Sequence, residues 1–90
     1  MTKALISVTG VDTTGIIARV ATRLSEMSIN ILEITQTILD GYFTMMMVVD
    51  LDKSGMDFAQ VDAAFDGLRE EMNMNIHMQR MDIYEAMHRV

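Results

Sequence analysis

The chain has 90 residues, half of them hydrophobic, and its 13 acidic and 7 basic side chains give a formal net charge of −6. No basic cluster stands out against this acidic balance, which argues against direct binding of nucleic acid. Cysteine is absent, which excludes disulfides and thiolate metal sites. The length predicts one domain over residues 1–90, and the high apolar content in so small a chain favours a dimer.

The beginning of the chain resembles a strand and has no basic stretch followed by an apolar leader. The longest uninterrupted apolar stretch, residues 45–49, is much shorter than the ~20 residues that a membrane helix requires. We therefore expect a cytoplasmic protein with no membrane partner.

The first part of the chain predicts a strand, a loop and a helix. Residues 2–9 alternate in the pattern of a half-buried strand. Asp12 and Thr13 are the best N-cap candidates for the helix that follows, which ends near residue 27. The apolar stripe predicted for this helix consists of Ile17, Val20, Ala21, Leu24 and Met27.

The middle of the chain predicts a β-hairpin. Residues 29–39 are rich in β-branched side chains and lead into Asp40-Gly41, a strong signal for a type I′ turn, and residues 42–51 form the partner strand. Met46 and Val48 add apolar surface to the outer face of that strand, so we expect another subunit to cover this face. The inner face is predicted to hold Phe43, Met45, Met47, Val49 and Leu51.

The last third of the chain predicts an amphipathic helix over residues 57–72, a strand over 75–82 and a short terminal helix over 83–90. The resulting βαββαβ order indicates an α+β ferredoxin-like sandwich, with a four-stranded antiparallel or mixed sheet and two helices on one face. Interpreted as crossovers between neighbouring parallel strands, the two helical connections make the sheet mixed, with only the hairpin antiparallel. The stripe of the long helix is predicted to be Phe58, Val61, Phe65, Leu68 and Met72.

The loop after the first strand is the strongest candidate for a binding site. Gly10 and Gly15 bracket short polar residues, and the helix start beyond them offers unpaired backbone N–H groups. The G-x-x-x-x-G spacing fits the first half of a P-loop, but Ile16 and Ile17 stand where a nucleotide site needs Lys and Ser or Thr. A carboxylate near Gly15 and Ile16 is the functional interpretation, and an ordinary strand-to-helix connection without a ligand is the alternative.

No catalytic or metal-binding set emerges from the sequence. His77 and His88 are too few and too far apart to define a metal site, and His77 is predicted to be an outward strand residue. Glu70 and Glu71 are assigned to the solvated side of the second helix rather than to an acid–base pair. We therefore expect a protein that is not an enzyme and holds no metal or cofactor.

Three stretches carry a resemblance to a known family. They are G-V-D-T-T-G-I-I-A at residues 10–18, S-I-N-I-L-E-I-T-Q at 28–36 and D-G-Y-F-T-M-M-M-V-V-D at 40–50. Together with the βαββαβ order they resemble an ACT domain over essentially the whole chain. The pattern I-x-Q-T-x-L-D-x-Y-F-T-M-M at residues 34–46 is similar to small stand-alone ACT proteins related to the glycine-cleavage-system transcriptional repressor.

The resemblance implies a regulatory role. ACT domains pair side by side or face to face and commonly bind amino acids at the subunit interface. Transferred to this chain, backbone N–H groups around Gly15 and Ile16 would take the ligand carboxylate, and Asp12 would accept from its ammonium group. Asn30 and the Ile31 backbone would fix its orientation. The full set of predicted ligand-binding residues is Gly10, Asp12, Thr13, Thr14, Gly15, Ile16, Asn30 and Ile31.

Two functional hypotheses follow. The first is a homodimeric sensor that binds an amino acid and passes its state to a partner protein. The second is a ligand-free interaction or dimerisation module that uses the apolar surface around Met46 and Val48. ACT domains usually regulate a segment fused to them, and these 90 residues contain a single domain, so the sequence leaves the form of the output open.

Overall fold

The computed structural model describes residues 2–11 and 15–81. Its elements follow the predicted βαββαβ order, which confirms the α+β ferredoxin-like fold. The short helix predicted for residues 83–90 lies outside the described residues. The elements are β1 (Lys3–Val11), α1 (Ile16–Glu26), β2 (Asn30–Leu39), β3 (Tyr42–Asp50), a 3₁₀ turn (Asp52–Ser54), α2 (Phe58–Ala64), α3 (Asp66–Met72) and β4 (Asn75–Arg80).

The four strands form one sheet in the order β2-β3-β1-β4, and each neighbouring pair is antiparallel. The antiparallel alternative is therefore confirmed, and the mixed sheet inferred from crossovers between neighbouring strands is wrong. The helical connection from β1 to β2 does join two parallel strands, but β3 lies between them, and β1 lies in the same way between β3 and β4. Each crossover thus skips one strand, and the skipped strand supplies the antiparallel neighbour.

One face of the sheet, here called the helix-bearing face, packs against the helices and forms the core. The predicted inner face of β3 is confirmed, because its alternate residues from Phe43 to Val49 are buried and Leu51 continues the row. The opposite face, here called the open face, carries residues such as Ser7, Thr44 and Met46. The core side chains contributed by the helices are Ile16, Val20, Leu24, Val61, Phe65 and Leu68.

The first turn of α1 differs from the prediction. Ile16 is 2% exposed and Ile17 is 40% exposed, so Ile16 takes the first position of the apolar stripe. Ile16 and Val20 are four residues apart and lie on one side of the helix. Ile17 follows Ile16 directly, so its side chain points to a different side. The N-cap is Gly15 rather than Asp12 or Thr13.

The second predicted helix is divided at Phe65 into α2 and α3. The Phe65 N–H donates to the carbonyl of Asp62 at 3.1 Å, a tight 3₁₀-type turn, and Arg69 N–H donates to the Phe65 carbonyl at 3.0 Å to begin the next helix. Phe65 is fully buried, so the apolar stripe continues across the break. At the start of α2, Asp57 and Gln60 form a reciprocal capping box.

The Arg69 side chain joins α2, α3 and β4. Its Nε donates to the carbonyl of Ile76 at 3.0 Å, and its Nη1 donates to the carbonyl of Asp62 at 2.9 Å and to Asp66 Oδ1 at 2.7 Å. Burial opposes the charged form of Arg69, but hydrogen bonds and charges from Asp62 and Asp66 outweigh that effect and raise its pKa. With these contacts, the Arg69 side chain is only 24% exposed.

Strand β2 is an edge strand that contains a β-bulge. Ile31 pairs with Val49 and Glu33 pairs with Val48, which leaves Leu32 as the extra residue. The bulge changes the alternation, so that Ile31 and Ile34 both lie on the helix-bearing face although they are three residues apart. Beyond the bulge the helices no longer cover this edge, since Ile34 is 47% exposed.

None of the helices in the described part of the chain is both long and apolar enough to cross a membrane. The expectation of a cytoplasmic location stays a prediction.

Candidate functional site

The start of α1 combines an unusual backbone conformation with available N–H groups. Gly15 has a φ of 89°, in the left-handed region that favours glycine, and its carbonyl accepts the Arg19 N–H at 2.9 Å. Gly15 has no side chain with which to cap the first turn, and no side chain of the described residues caps it. A positive helix end of this kind attracts carboxylates.

Gly10, at the other end of the loop, packs closely against the side chain of Met74. A Cβ at this position would overlap the Sδ atom of Met74 and lie 3.7 Å from its Cα. Met74 is buried at the turn between α3 and β4. The end of β1 therefore passes closely over the Met74 side chain.

Asn30 and Ile31 lie at the opposite end of α1. Asn30 begins β2 and pairs with Asp50, whereas Gly10 pairs with Phe43 at the far end of β3. Eleven helical residues separate the two groups, a length of about 16 Å. A shallow depression at the Asn30 end is lined by Ala21, Leu24, Ser25, Ser28, Ile29, Asn30, Ile31 and Lys53.

Within one chain, the structure brings only part of the predicted site together. Gly10, Gly15 and Ile16 belong to one end of the fold, and Asn30 and Ile31 belong to the other. The remaining predicted site residues, Asp12, Thr13 and Thr14, lie outside the described residues. The eight-residue site stays a prediction, and its two halves can meet only if two chains combine.

An ion pair connects the first half of α1 to α3. Arg19 donates to Glu71 of α3, and this hydrogen bond, with the attraction between the two charges, holds the pKa of the Glu71 carboxyl below its usual range. Both side chains are about half exposed. Glu71 therefore links α1 to α3, a role that helical periodicity could not indicate because the two helices are separated along the chain.

No group of three His, Cys, Asp or Glu side chains among residues 2–11 and 15–81 is arranged to hold a metal ion. His77 is exposed on the open face opposite Ser7, in agreement with the predicted outward position. His88 lies outside the described residues.

The sequence pattern did not indicate that Lys53 lies beside Asn30 in the same depression. Residues 52–57 contain no motif that indicates a site, and the structure folds the beginning of this segment into a 3₁₀ turn beside the α1–β2 connection. The one available signal was a lysine in a chain with a large excess of acidic residues.

The fold and its sequence identify the family. The family model for the ACT domain matches residues 2–79. A UPF0237 protein from Bifidobacterium longum is 47% identical over 90 residues, covering all of both chains. The solved structure of an ACT domain protein from Streptococcus pneumoniae has a TM-score of 0.81 at 40% identity, covering 93% of this chain and 94% of that one. The chain therefore belongs to the ACT-domain family, whose members are regulatory ligand-binding domains.

A more distant solved structure shares the fold. The structure of a glycine cleavage system transcriptional repressor has a TM-score of 0.77 and 20% identity, covering 88% of this chain and 45% of that one. At this identity the likeness concerns the fold alone.

Proposed function

We propose that this protein is a homodimeric sensor that binds an amino acid at its subunit interface. The observation that carries the proposal is the separation of the predicted site into two halves at opposite ends of α1. A site split in this way becomes complete when the α1 start of one copy lies next to the beginning of β2 in a second copy. The free edge strand β2 lies beside both halves and supplies the surface along which two copies can meet.

A two-fold axis through the middle of β2 gives the required arrangement. Two β2 strands pairing antiparallel would extend the sheet and place the Asn30 end of one copy against the Leu39 end of the other. Gly10 pairs with Phe43 next to the hairpin, so the α1 start lies at that second end. Ile34 and Ile38, which are 47% and 60% exposed on the helix-bearing face, would be buried between the copies.

The chemistry of the assembled cleft suits a zwitterion. The N–H groups near Gly15 and Ile16 recognise a carboxylate, and the Asn30 amide offers both a donor and an acceptor. Binding that requires both subunits would couple ligand concentration to the state of the dimer. A partner protein that recognises the liganded dimer would then provide the output.

The ligand site is tested by a thermal-shift screen of the twenty amino acids on the wild-type protein and on Asn30→Ala. A ligand at 100 times its dissociation constant stabilises the fold by about 2.7 kcal/mol, which raises Tm by roughly 10 °C in a domain of this size. We expect one or two amino acids to produce such a rise in the wild type. Asn30 is exposed, so without ligand the variant should have nearly the same Tm as the wild type. When the amino acid is added, its Tm should not rise.

A rise that survives unchanged in Asn30→Ala would remove Asn30 from the site. No rise with any amino acid would favour the interaction module, whose surface would include the exposed Met46 on the open face.

The dimer is tested with Ile34→Lys, which places two charges near the proposed two-fold axis. We expect this variant to become monomeric in sedimentation equilibrium at concentrations where the wild type is dimeric, because like charges at an apolar contact are strongly unfavourable. Met46→Lys is the matched control, since Met46 is similarly exposed on the neighbouring strand but lies on the open face. Loss of the dimer in the control alone would indicate face-to-face pairing instead.

A further inference from the structure

Lys53 lines the same depression as Asn30 and is the charged residue in that lining. The other lining side chains are aliphatic, hydroxyl or amide groups. Lys53 lies in the 3₁₀ turn after β3, which folds back beside the connection between α1 and β2. The depression therefore combines an apolar floor, polar groups and one positive charge.

The charge of Lys53 has no counter-ion among the described residues, although the chain has nearly twice as many acidic as basic side chains. The described arginines of the helices behave differently. Arg19 pairs with Glu71, Arg23 with Glu26, and Arg69 with two aspartates. Lys3 is likewise absent from the ion pairs of the described residues, so what distinguishes Lys53 is its place in the depression beside Asn30, where its charge is available to an anionic ligand.

We propose that the ligand is an acidic amino acid and that Lys53 binds its side-chain carboxylate. This inference rests on the proposed dimer, in which the α1 start of the second copy faces the Asn30 end. The N–H groups at that helix start take the α-carboxylate, and Lys53 takes the second carboxylate from the other wall of the cleft. A neutral amino acid would use only one of the two anion-recognising groups.

The amide analogues provide the sharpest comparison. Asparagine and glutamine have nearly the same shape as aspartate and glutamate but cannot form a charge-assisted hydrogen bond with an ammonium group. We expect aspartate or glutamate to bind at least about tenfold more tightly than its own amide, corresponding to about 1.4 kcal/mol. Raising the salt concentration should reduce this preference, since the depression is open to solvent.

The experiment is isothermal titration of the full chain with aspartate, glutamate, asparagine and glutamine. It compares the wild type with Lys53→Met and Lys3→Met. Lys3 is a matched control because it is an exposed lysine that lies outside this depression. We expect Lys53→Met to weaken binding of the acidic ligand about tenfold and to abolish the preference over its amide, with Lys3→Met unchanged.

The outcomes separate this inference from the proposed function. Tight binding of a neutral amino acid that is lost in Asn30→Ala, without binding of aspartate or glutamate, would overturn the role of Lys53 and retain the sensor. An acidic ligand whose affinity is the same in Lys53→Met would also overturn it. If none of the twenty amino acids binds, both the proposed sensor function and the role of Lys53 are contradicted.

Discussion

Phe65→Ala should lower the free energy of unfolding by about 3–5 kcal/mol, as expected for truncation of a large buried side chain. Phe65 is fully buried and lies where α2 passes into α3, so the cavity would open beneath both helices. The free energy of unfolding of a 90-residue domain is only about 5–13 kcal/mol. We expect thermal unfolding to show a fall in Tm of at least roughly 12 °C.

Tyr42→Ala is the control for this prediction. Tyr42 is also aromatic but is 60% exposed on the open face, so its removal should change the free energy of unfolding by no more than about 0.5 kcal/mol. Both variants should be compared at one protein concentration, because any association of subunits makes Tm depend on concentration. Equal losses in the two variants would show that Phe65 does not occupy the centre of the core.

Arg69→Met should be the second most damaging change, costing about 2 kcal/mol of unfolding free energy. Methionine preserves much of the apolar stem but removes the donors to the carbonyls of Ile76 and Asp62. The two ion pairs contribute less than the backbone contacts, since Asp62 and Asp66 are 42% and 71% exposed. Urea unfolding followed by circular dichroism should show a lower midpoint with an unchanged slope.

Arg19→Met separates the effect of ion pairing from that of backbone contacts. Arg19 also pairs with an acidic side chain from another helix, but both partners are about half exposed. Among the described contacts, its guanidinium group bonds only to that carboxylate and to no backbone carbonyl. We expect a loss below about 1 kcal/mol that shrinks in high salt. A loss in Arg69→Met as small as that in Arg19→Met would contradict its role in joining α2, α3 and β4.

The sequence was sufficient to predict features encoded within one segment, such as the alternation of a strand, a hairpin turn and the apolar stripe of a helix. The two-residue alternation from Phe43 to Val49 correctly separated the two faces of β3, because a strand offers only two faces. The Asp40-Gly41 pair correctly predicted the hairpin, in which both residues have positive φ. The second helical stripe was also correct, since Val61, Phe65 and Leu68 are all buried.

Features that depend on contacts between distant segments were not predictable in the same way. Strand order required knowing that β3 inserts between β1 and β2, which no local pattern encodes. At the start of α1, Ile16 and Ile17 are equally apolar, and only packing decided which of them is buried. The tight turn at Phe65 left the apolar spacing intact and therefore gave no signal.

The candidate site was predicted by resemblance more than by local pattern. The loop glycines were recognisable in the sequence, but the contact of Gly10 with Met74 joins positions 64 residues apart. Lys53 was missed because its proximity to Asn30 arises from the fold of the α1–β2 connection and the 3₁₀ turn. Distances between these segments become known only from the tertiary structure.

The bulge at Leu32 affects how many chains can associate through the edge strand β2. An uninterrupted edge strand is a template to which further strands can be added repeatedly, as in a growing fibril. In β2 the bulge interrupts the ladder, so that only residues 33–39 keep a regular pairing register with β3. In the dimer proposed above, two copies that pair through this short edge would cover it in both chains, and assembly through β2 would stop at two.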